Sequence, residues 1–549
     1  MDSLASDISL PHSICRLLVG RGHHTAELAK PYLRPRLERL HDPLLMGGLD
    51  VAVDRLATAI RNGETVLIHG DYDVDGMAST ALLARSIGAL GGRVVPFIPS
   101  RLADGYDLTD AGVRAAIECG ATVVLTADCG TSAVGPIASL VERGIDVIVS
   151  DHHLPGGALP DCLAVLNPRR EGCDYPDTDL AAVGVAFKLA LALTRAMGGD
   201  ERLVMRQLDL VALATIADVA PLRGENRVFV RYGLRLMTEG GNEGLRALIR
   251  SSGLDGRPIT AGRVGFTLAP RLNAAGRLGN ALLGVRLLLS DSATDANRIA
   301  RELEELNRRR QDHDREVLEQ ARAMVHAMGP ELPRGLVLAS EHWHAGVIGI
   351  VASRLVEEFG RPVILVALEG DEGKGSGRSI PAFDLHAGIG ACSSHLVRYG
   401  GHRVAAGLSV RRQDVDAFGR AFMEHANTSL SDDDLVPVLR VDMEIPLHEA
   451  NDELHRWLAH FEPFGIGNPS PVFVSRGVRV VDRPRAVGKD GIRLRLSDGA
   501  GELEAIGWGM AARGRQLAAN DLVDVAYRLE RDEYRGSSRL QARLADIRR

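Results

Sequence analysis

At 549 residues the chain is too long for one hydrophobic core, and at about 150 residues per domain some three or four units are expected. The hydrophobic fraction of 45%, charged fraction of 25% and mean hydropathy of -0.01 fit a soluble globular protein, and no apolar run nears the ~20 residues of a membrane helix. A formal charge of -7 gives no global sign of a nucleic-acid partner, and six cysteines without a CxxC pair argue against a disulfide framework or a zinc finger.

The N-terminus MDSLASDISLPHSICRLLVGRGHH carries no secretory signal, so a cytoplasmic location is the default expectation. Residues 1–50 read as short helical pieces, and VAVDRLATAIRN (51–62) as an amphipathic helix with apolar residues at 3.6 spacing. From 64 to 168 β-branched runs alternate with helical patterns, which predicts a doubly wound parallel sheet. Residues 180–250 turn mostly helical, with Asp218 at the end of one helix. A long charged segment (293–328) without Gly or Pro predicts a connecting helix, and GPELPRG (329–335) marks a boundary before a second, smaller α/β unit. After 435 short strands with turn signals predict a small antiparallel barrel.

Four clusters carry the chemistry: HGDYDVDG (69–76), TADCG (126–130), SDHH (150–153) and TIADV (215–219). The first three directly follow apolar runs, so strand ends would deliver their ligands to one edge of a parallel sheet, where open α/β sheets place active sites. His69, Asp73 and Asp75 fall across a strand-to-helix turn, and Gly76 relieves the crowding where the helix opens. Carboxylates and imidazoles without thiolate suit Mn²⁺ or Mg²⁺. Asp128 on a neighbouring strand end could bridge two ions, and His152, His153 and Asp218 complete the candidate shell. Each residue alone has an ordinary reading as a helix cap or a packed polar group; the ordered set does not. Two metals beside phosphate-binding arginines suit phosphoester hydrolysis, and no GxxxxGK[ST] motif points to ATP.

Charge is uneven. Residues 475–549 hold 16 basic against 11 acidic side chains, and the chain uses only four lysines beside 61 arginines. Arginine is the better bidentate phosphate ligand.

With these residues in place the chain resembles the DHH phosphoesterase superfamily, whose motif is Asp151, His152 and His153, and within it the RecJ family of single-strand-specific 5′→3′ DNA exonucleases. The likeness runs through PSRLADGYDL, AAVGVAFK, RLNAAGRL, WHAGVIGIVASRL, GKGSGRSI, YGGHRVAAGL and FEPFGIGNPSPVF. It implies His69, Asp73, Asp75, Asp128, His152 and Asp218 as ligands of two Mn²⁺ or Mg²⁺ ions, Asp71 as their support, and His153 at the scissile phosphate, at the leaving oxygen or as a further ligand. It implies a 5′-phosphate pocket from Arg101, Ser376 and Arg378, with Arg271, Asn273, Arg277 and His402 on the nucleic-acid backbone or closing the active site.

The family plan divides the chain into an N-terminal helical segment (1–50), a DHH catalytic domain (51–290), a connecting helix (291–328), a DHH-associated domain (335–428) and an OB-fold (435–549). In that OB-fold Phe473, Trp508, Tyr527 and Tyr534 are stacking candidates. Asp107 replaces a glycine usual in Gly-Tyr-Gly, and Ala182 another glycine; both put local loop geometry in question.

The function expected is metal-dependent 5′→3′ hydrolysis of single-stranded DNA to mononucleotides in repair and recombination, by a monomer working with a single-strand-binding protein and a helicase and not with a membrane. The alternatives are a DHH-type phosphodiesterase of short oligoribonucleotides or cyclic dinucleotides, a manganese pyrophosphatase, and a non-catalytic replication scaffold. Chain length and the basic tail count against the first two, and the complete ligand set against the third.

Overall fold

The computed structural model describes residues 2–101, 103–532 and 538–549. Two compact units emerge: Met1–Pro99 with Asp104–Ala269 and Leu439–Arg549, and Ser100–Ala103 with Pro270–Val438. Among the described residues no helix is long and apolar enough to cross a membrane.

The first unit holds a five-stranded parallel sheet of β1 (Thr65–Gly70), β2 (Arg93–Phe97), β3 (Val123–Ala127), β4 (Asp146–Ser150) and β5 (Ala164–Leu166), in the order β2-β1-β3-β4-β5. That is the flavodoxin-like doubly wound order, with its topological switch point between β1 and β3. The inner strands β1, β3 and β4 are mostly apolar and buried because both faces are covered. Leu67, Val124, Val147 and Val149 pack with Val113, Ala116, Ile137 and Leu140 of the helices Asp110–Glu118 and Val134–Val141. The helices Val74–Ala89 and Ala182–Ala196 pack on each other and on the sheet, and both are almost wholly buried.

The same unit contains the C-terminal barrel. Strands β12 (Phe473–Val480), β16 (Leu522–Asp532), β17 (Arg539–Arg548), β15 (Glu502–Gly507) and β14 (Gly491–Ser497) pair in sequence, and a β12–β14 pairing closes the ring. The two short strands β11 (Met443–Glu444) and β13 (Arg485–Val487) lie at the rims. Most pairings are antiparallel as expected; β11–β12 and β15–β17 are parallel. Phe473 and Tyr527, two of the stacking candidates, are 0% exposed and belong to the barrel core, since strand alternation turns them inward. Trp508 is 49% exposed, and Tyr534 lies outside the described residues.

The N-terminal helices share that core: Leu4, Ile14, Leu17, Leu18, Ala29 and Tyr32 pack with Phe461, Phe473 and Tyr527. A buried arginine on the helix Gly224–Glu239 ties this assembly to the helical part of the parallel-sheet unit. Arg227 donates to Tyr32 O (2.9 Å), Phe461 O (3.0 Å) and Glu462 O (2.9 Å), and its guanidinium lies 4.2 Å from the Tyr32 ring centroid.

The second unit has a sheet ordered β6-β7-β8-β10-β9, made of β6 (Leu336–Ser340), β7 (Val363–Glu369), β8 (Glu372–Arg378), β9 (Arg398–Gly401) and β10 (Ala405–Arg411). The expected connecting helix is the 35-residue helix Ala293–Ala327, whose Val317, Leu318, Ala321 and Val325 pack under this sheet. GKGSGR lies in the central strand β8. Its glycines alternate onto the face where Leu408, Ile364 and Leu385 crowd in, so a Cβ at Gly375 would sit 2.5 Å from Leu408. The other face of the strand carries Lys374, Ser376 and Arg378.

Candidate functional site

β1 ends at Gly70, and Asp71, Asp73 and Asp75 follow in the turn that opens the helix Val74–Ala89. Asp73 caps that helix, its Oδ1 accepting from the N–H groups of Asp75 (2.9 Å) and Gly76 (3.2 Å). The turn is so tight that a Cβ at Gly76 would fall 2.4 Å from Asp71 O, which is why glycine stands there. Asp75 is fixed by the first turn of the helix Ala182–Ala196: its oxygens accept from Ala182 N–H (2.8 Å) and Val183 N–H (2.9 Å). Asp128 follows β3, Asp151, His152 and His153 follow β4, and Asp218 is the C-cap of the helix Leu208–Ala217.

These side chains converge. His152 Nε2 lies 3.3 Å from Asp128 Oδ1, 3.7 Å from Asp218 Oδ2 and 4.0 Å from Asp75 Oδ2. Ligand atoms fall within 4.8 Å of one another in three overlapping groups: Asp71, Asp73 and Asp128; Asp75, His152 and Asp218; and Asp128, His152 and His153. Asp71, expected as a support, thus offers an oxygen of its own.

His69 is the predicted ligand that the structure does not bring into these groups. Period-two alternation puts its ring on the same face as Leu67, under the helix Asp110–Glu118. Its Nδ1 is 3.5 Å from Cys129 Sγ, its ring is 5.3 Å from that of Phe97, and a Cβ at Gly112 would lie 2.7 Å from Nε2. Burial pushes its pKa down to about 4.

The electrostatics call for a cation. Among the described residues Asp128 Oδ1 and both ring nitrogens of His152 are buried with no hydrogen-bond partner, a costly state that metal coordination would relieve. Burial and then repulsion from Asp73 raise Asp75 to about 7, and burial with the surrounding carboxylates holds Asp128 and Asp218 well above the usual carboxylate range. Oxygen and imidazole donors in a buried, acidic pocket fit hard divalent ions.

His153 stands between two partners that sequence reading passed over. Its Nδ1 is 2.8 Å from Asp151 Oδ1 and its Nε2 is 3.1 Å from Tyr106 Oη. Burial works to lower its pKa, but the Asp151 bond and the neighbouring carboxylates outweigh it and bring it to about 9. Asp151 also accepts from His152 N–H (2.7 Å) and Thr131 N–H (3.0 Å), so it orients the turn as well as the imidazole. The string PSRLADGYDL carried the signal for Tyr106, in an aromatic flanked by Gly105 and Asp107, both left-handed.

The basic residues form a separate set within the second unit. Arg378 Nη1 donates to Ser376 Oγ (3.2 Å) and Gly377 O (2.8 Å), and both side chains lie against Gly349 in the first turn of the helix Ile348–Phe359. Arg277 donates to Gly346 O at 3.0 Å. Burial, and after it the charges of Arg101, Arg310 and Arg378, lower the pKa of Arg277 to about 10; burial and Arg101 also lower Arg378. A helix N-terminus beside mutually repelling arginines would suit an anion. Arg271 is ion-paired with Glu304 (2.6 Å), Asn273 is half-buried on the same helix, and His402 is exposed in the turn between β9 and β10, where its N–H meets Ala405 O.

Comparison with known proteins gives a consistent result. Residues 65–215 match the DHH family, N-terminal domain; 333–427 match the DHHA1 domain; and 441–546 match the RecJ OB domain. The single-stranded-DNA-specific exonuclease RecJ of Bacillus subtilis is 34% identical over 99% of this chain and 69% of its own length, and that of Salmonella typhimurium 35% identical over 98% and 96%. The crystal structure of RecJ with Mn²⁺ from Thermus thermophilus superposes with a TM-score of 0.85 at 33% identity, covering 100% of this chain and 77% of that one. A Mg²⁺ complex of the same protein superposes with a TM-score of 0.79.

Proposed function

The chain belongs to the RecJ family, and from that premise we propose that it is a divalent-metal-dependent exonuclease that hydrolyses single-stranded DNA from the 5′ end to mononucleotides. The observation that carries this reading is the cluster of buried, unpartnered Asp128 and His152 atoms at the sheet's switch point, in a chain that aligns with RecJ relatives over nearly its whole length. We assign Asp71, Asp73, Asp75, Asp128, His152 and Asp218 as the residues that hold Mn²⁺ or Mg²⁺, with His69 packed behind them. Bound there, the cations would supply an activated water and neutralise charge on the phosphoryl oxygens.

The chain's own residues do the positioning. Two helix amides fix Asp75, and the cap at Asp73 sets the spacing of the first acidic run. Asp151 and Tyr106 hold His153 with one nitrogen on each, so the imidazole is oriented before a strand arrives, and Nε2 would leave Tyr106 to meet the scissile phosphate or the leaving oxygen.

Arg101, Ser376 and Arg378 would take the 5′-terminal phosphate; a pocket that accepts only a chain end gives exonuclease polarity. The OB barrel, with Trp508 exposed, would stack and track the single strand. The enzyme would act as a cytoplasmic monomer, with a single-strand-binding protein and a helicase presenting its substrate in repair and recombination.

The test supplies 5′-phosphorylated single-stranded DNA, the same strand as a duplex, and a dinucleotide, each with Mn²⁺. Loss of the single strand alone is expected. Hydrolysis of the dinucleotide alone would overturn the assignment in favour of a short-substrate phosphodiesterase.

A further inference from the structure

Asp107 and Asp128 both hold left-handed backbone, at φ 74° and φ 72°. For an L-residue this costs roughly 1 kcal/mol, least for Asn and Asp, and it persists where the surroundings over-determine it. The Asp128 loop is over-determined by four bonds. Asp128 N–H donates to Ser150 O (3.0 Å), Thr126 Oγ1 to Cys129 O (2.7 Å), Gly130 N–H to Asp107 Oδ1 (2.7 Å) and Thr131 N–H to Asp151 Oδ2 (3.0 Å).

Three of those anchors, Thr126, Ser150 and Asp151, sit on β3 or at the end of β4 and come with the sheet itself. The fourth does not. Asp107 lies in the loop between β2 and the helix Asp110–Glu118, and the same Oδ1 accepts from Leu108 N–H (2.8 Å). Its neighbour Tyr106 places Oη 3.1 Å from His153 Nε2. One carboxylate oxygen therefore joins the loop that touches His153 to the loop that presents Asp128.

We propose that Asp107 is a positioning residue for the metal centre, whose carboxylate fastens the Tyr106 loop to the Asp128 loop and so fixes Asp128 and the Tyr106–His153 pair against each other. A glycine at this position would adopt the same backbone at lower cost but would offer no acceptor to Gly130. The inference rests on the assignment of Asp128 as a metal ligand.

The experiment compares D107G, D107N and the unaltered chain by Mn²⁺ titration without DNA, reading free Mn²⁺ by its EPR signal, alongside thermal melting of the metal-free proteins. D107G is expected to melt no lower than the unaltered chain while binding Mn²⁺ about tenfold more weakly, as loss of a bond behind the ligands does. D107N keeps an oxygen in place and should bind within about threefold of the unaltered chain, well short of the loss that removing such a bond brings. D107G with undiminished Mn²⁺ affinity would overturn the proposal, and so would D107N as weak as D107G, since charge and not the bond to Gly130 would then be responsible. An unaltered chain that takes up no Mn²⁺ would remove the ligand assignment and the proposal with it, whereas normal uptake without DNA cleavage would count against the exonuclease reading alone.

Discussion

Replacing Arg378 by methionine keeps most of the side-chain volume and removes the charge from the proposed 5′-phosphate pocket. In the structure Nη1 is committed to Ser376 Oγ (3.2 Å) and Gly377 O (2.8 Å), while Nε and Nη2 have no acceptor among the described residues. Two charge-assisted bonds to a phosphate, each ~1.5–3 kcal/mol, bracket the loss from above. Part of it is recovered because Arg101 no longer repels a second buried cation. A net loss of about 3 kcal/mol is roughly 100-fold in kcat/KM. The assay is single-turnover cleavage of one oligonucleotide prepared with a 5′-phosphate and with a 5′-hydroxyl. The phosphorylated strand should lose this factor and the hydroxyl strand almost none, with R378K recovering part, since lysine restores charge without the planar fork. Equal losses on both strands would refute the pocket and leave Arg378 a structural residue of β8.

Three further outcomes follow from other parts of the molecule. Gly112→Ala places a Cβ 2.5 Å from His69 Cδ2, so the ring must move; thermal stability should fall while Mn²⁺ affinity stays within about threefold, and a larger affinity loss in a Mn²⁺ titration would make His69 a ligand after all. Arg227→Met removes three well-formed bonds and the contact with Tyr32, about 4 kcal/mol by sum, measurable by urea denaturation; a change under about 1 kcal/mol would mean that this joint is not what fastens the barrel. Trp508→Ala should weaken binding of single-stranded DNA by ~1–3 kcal/mol in fluorescence anisotropy at fixed salt without changing the melting temperature, and an unchanged Kd would exclude stacking there.

Much of the catalytic half was legible because its signal is local. The first three clusters each follow a β-branched run that reads as a buried parallel strand, so the strand ends, and with them Asp71 to Asp75, Asp128 and His152, were bound to share one edge. Asp218 was readable as the end of a helix. His69 falls outside the three groups, which spacing along the chain could not show because it says nothing about which face of β1 the ring takes; Leu67, two residues earlier, held that information. Tyr106 and Asp107 lie in a loop without periodicity, and their contacts depend on how that loop folds over β3 and β4. The glycine-rich strand β8 reads as a turn until Leu408, Ile364 and Leu385 are seen to fill the space its missing side chains leave. Phe473 and Tyr527 could be named no more than stacking candidates because residue type, without strand register, cannot separate the inside of a barrel from its outside.

The central claim is that the cluster around Asp128 and His152 cuts single-stranded DNA from its 5′ end. The most direct measurement follows a single strand labelled at its 3′ end, incubated with Mn²⁺ and either the unaltered chain or Asp128→Ala, whose fold is checked by circular dichroism. The unaltered chain should shorten the labelled strand stepwise from the other end and release mononucleotides, and Asp128→Ala should leave it intact. Undiminished cleavage by Asp128→Ala, or immediate release of the 3′ label as a mononucleotide by the unaltered chain, would contradict the account.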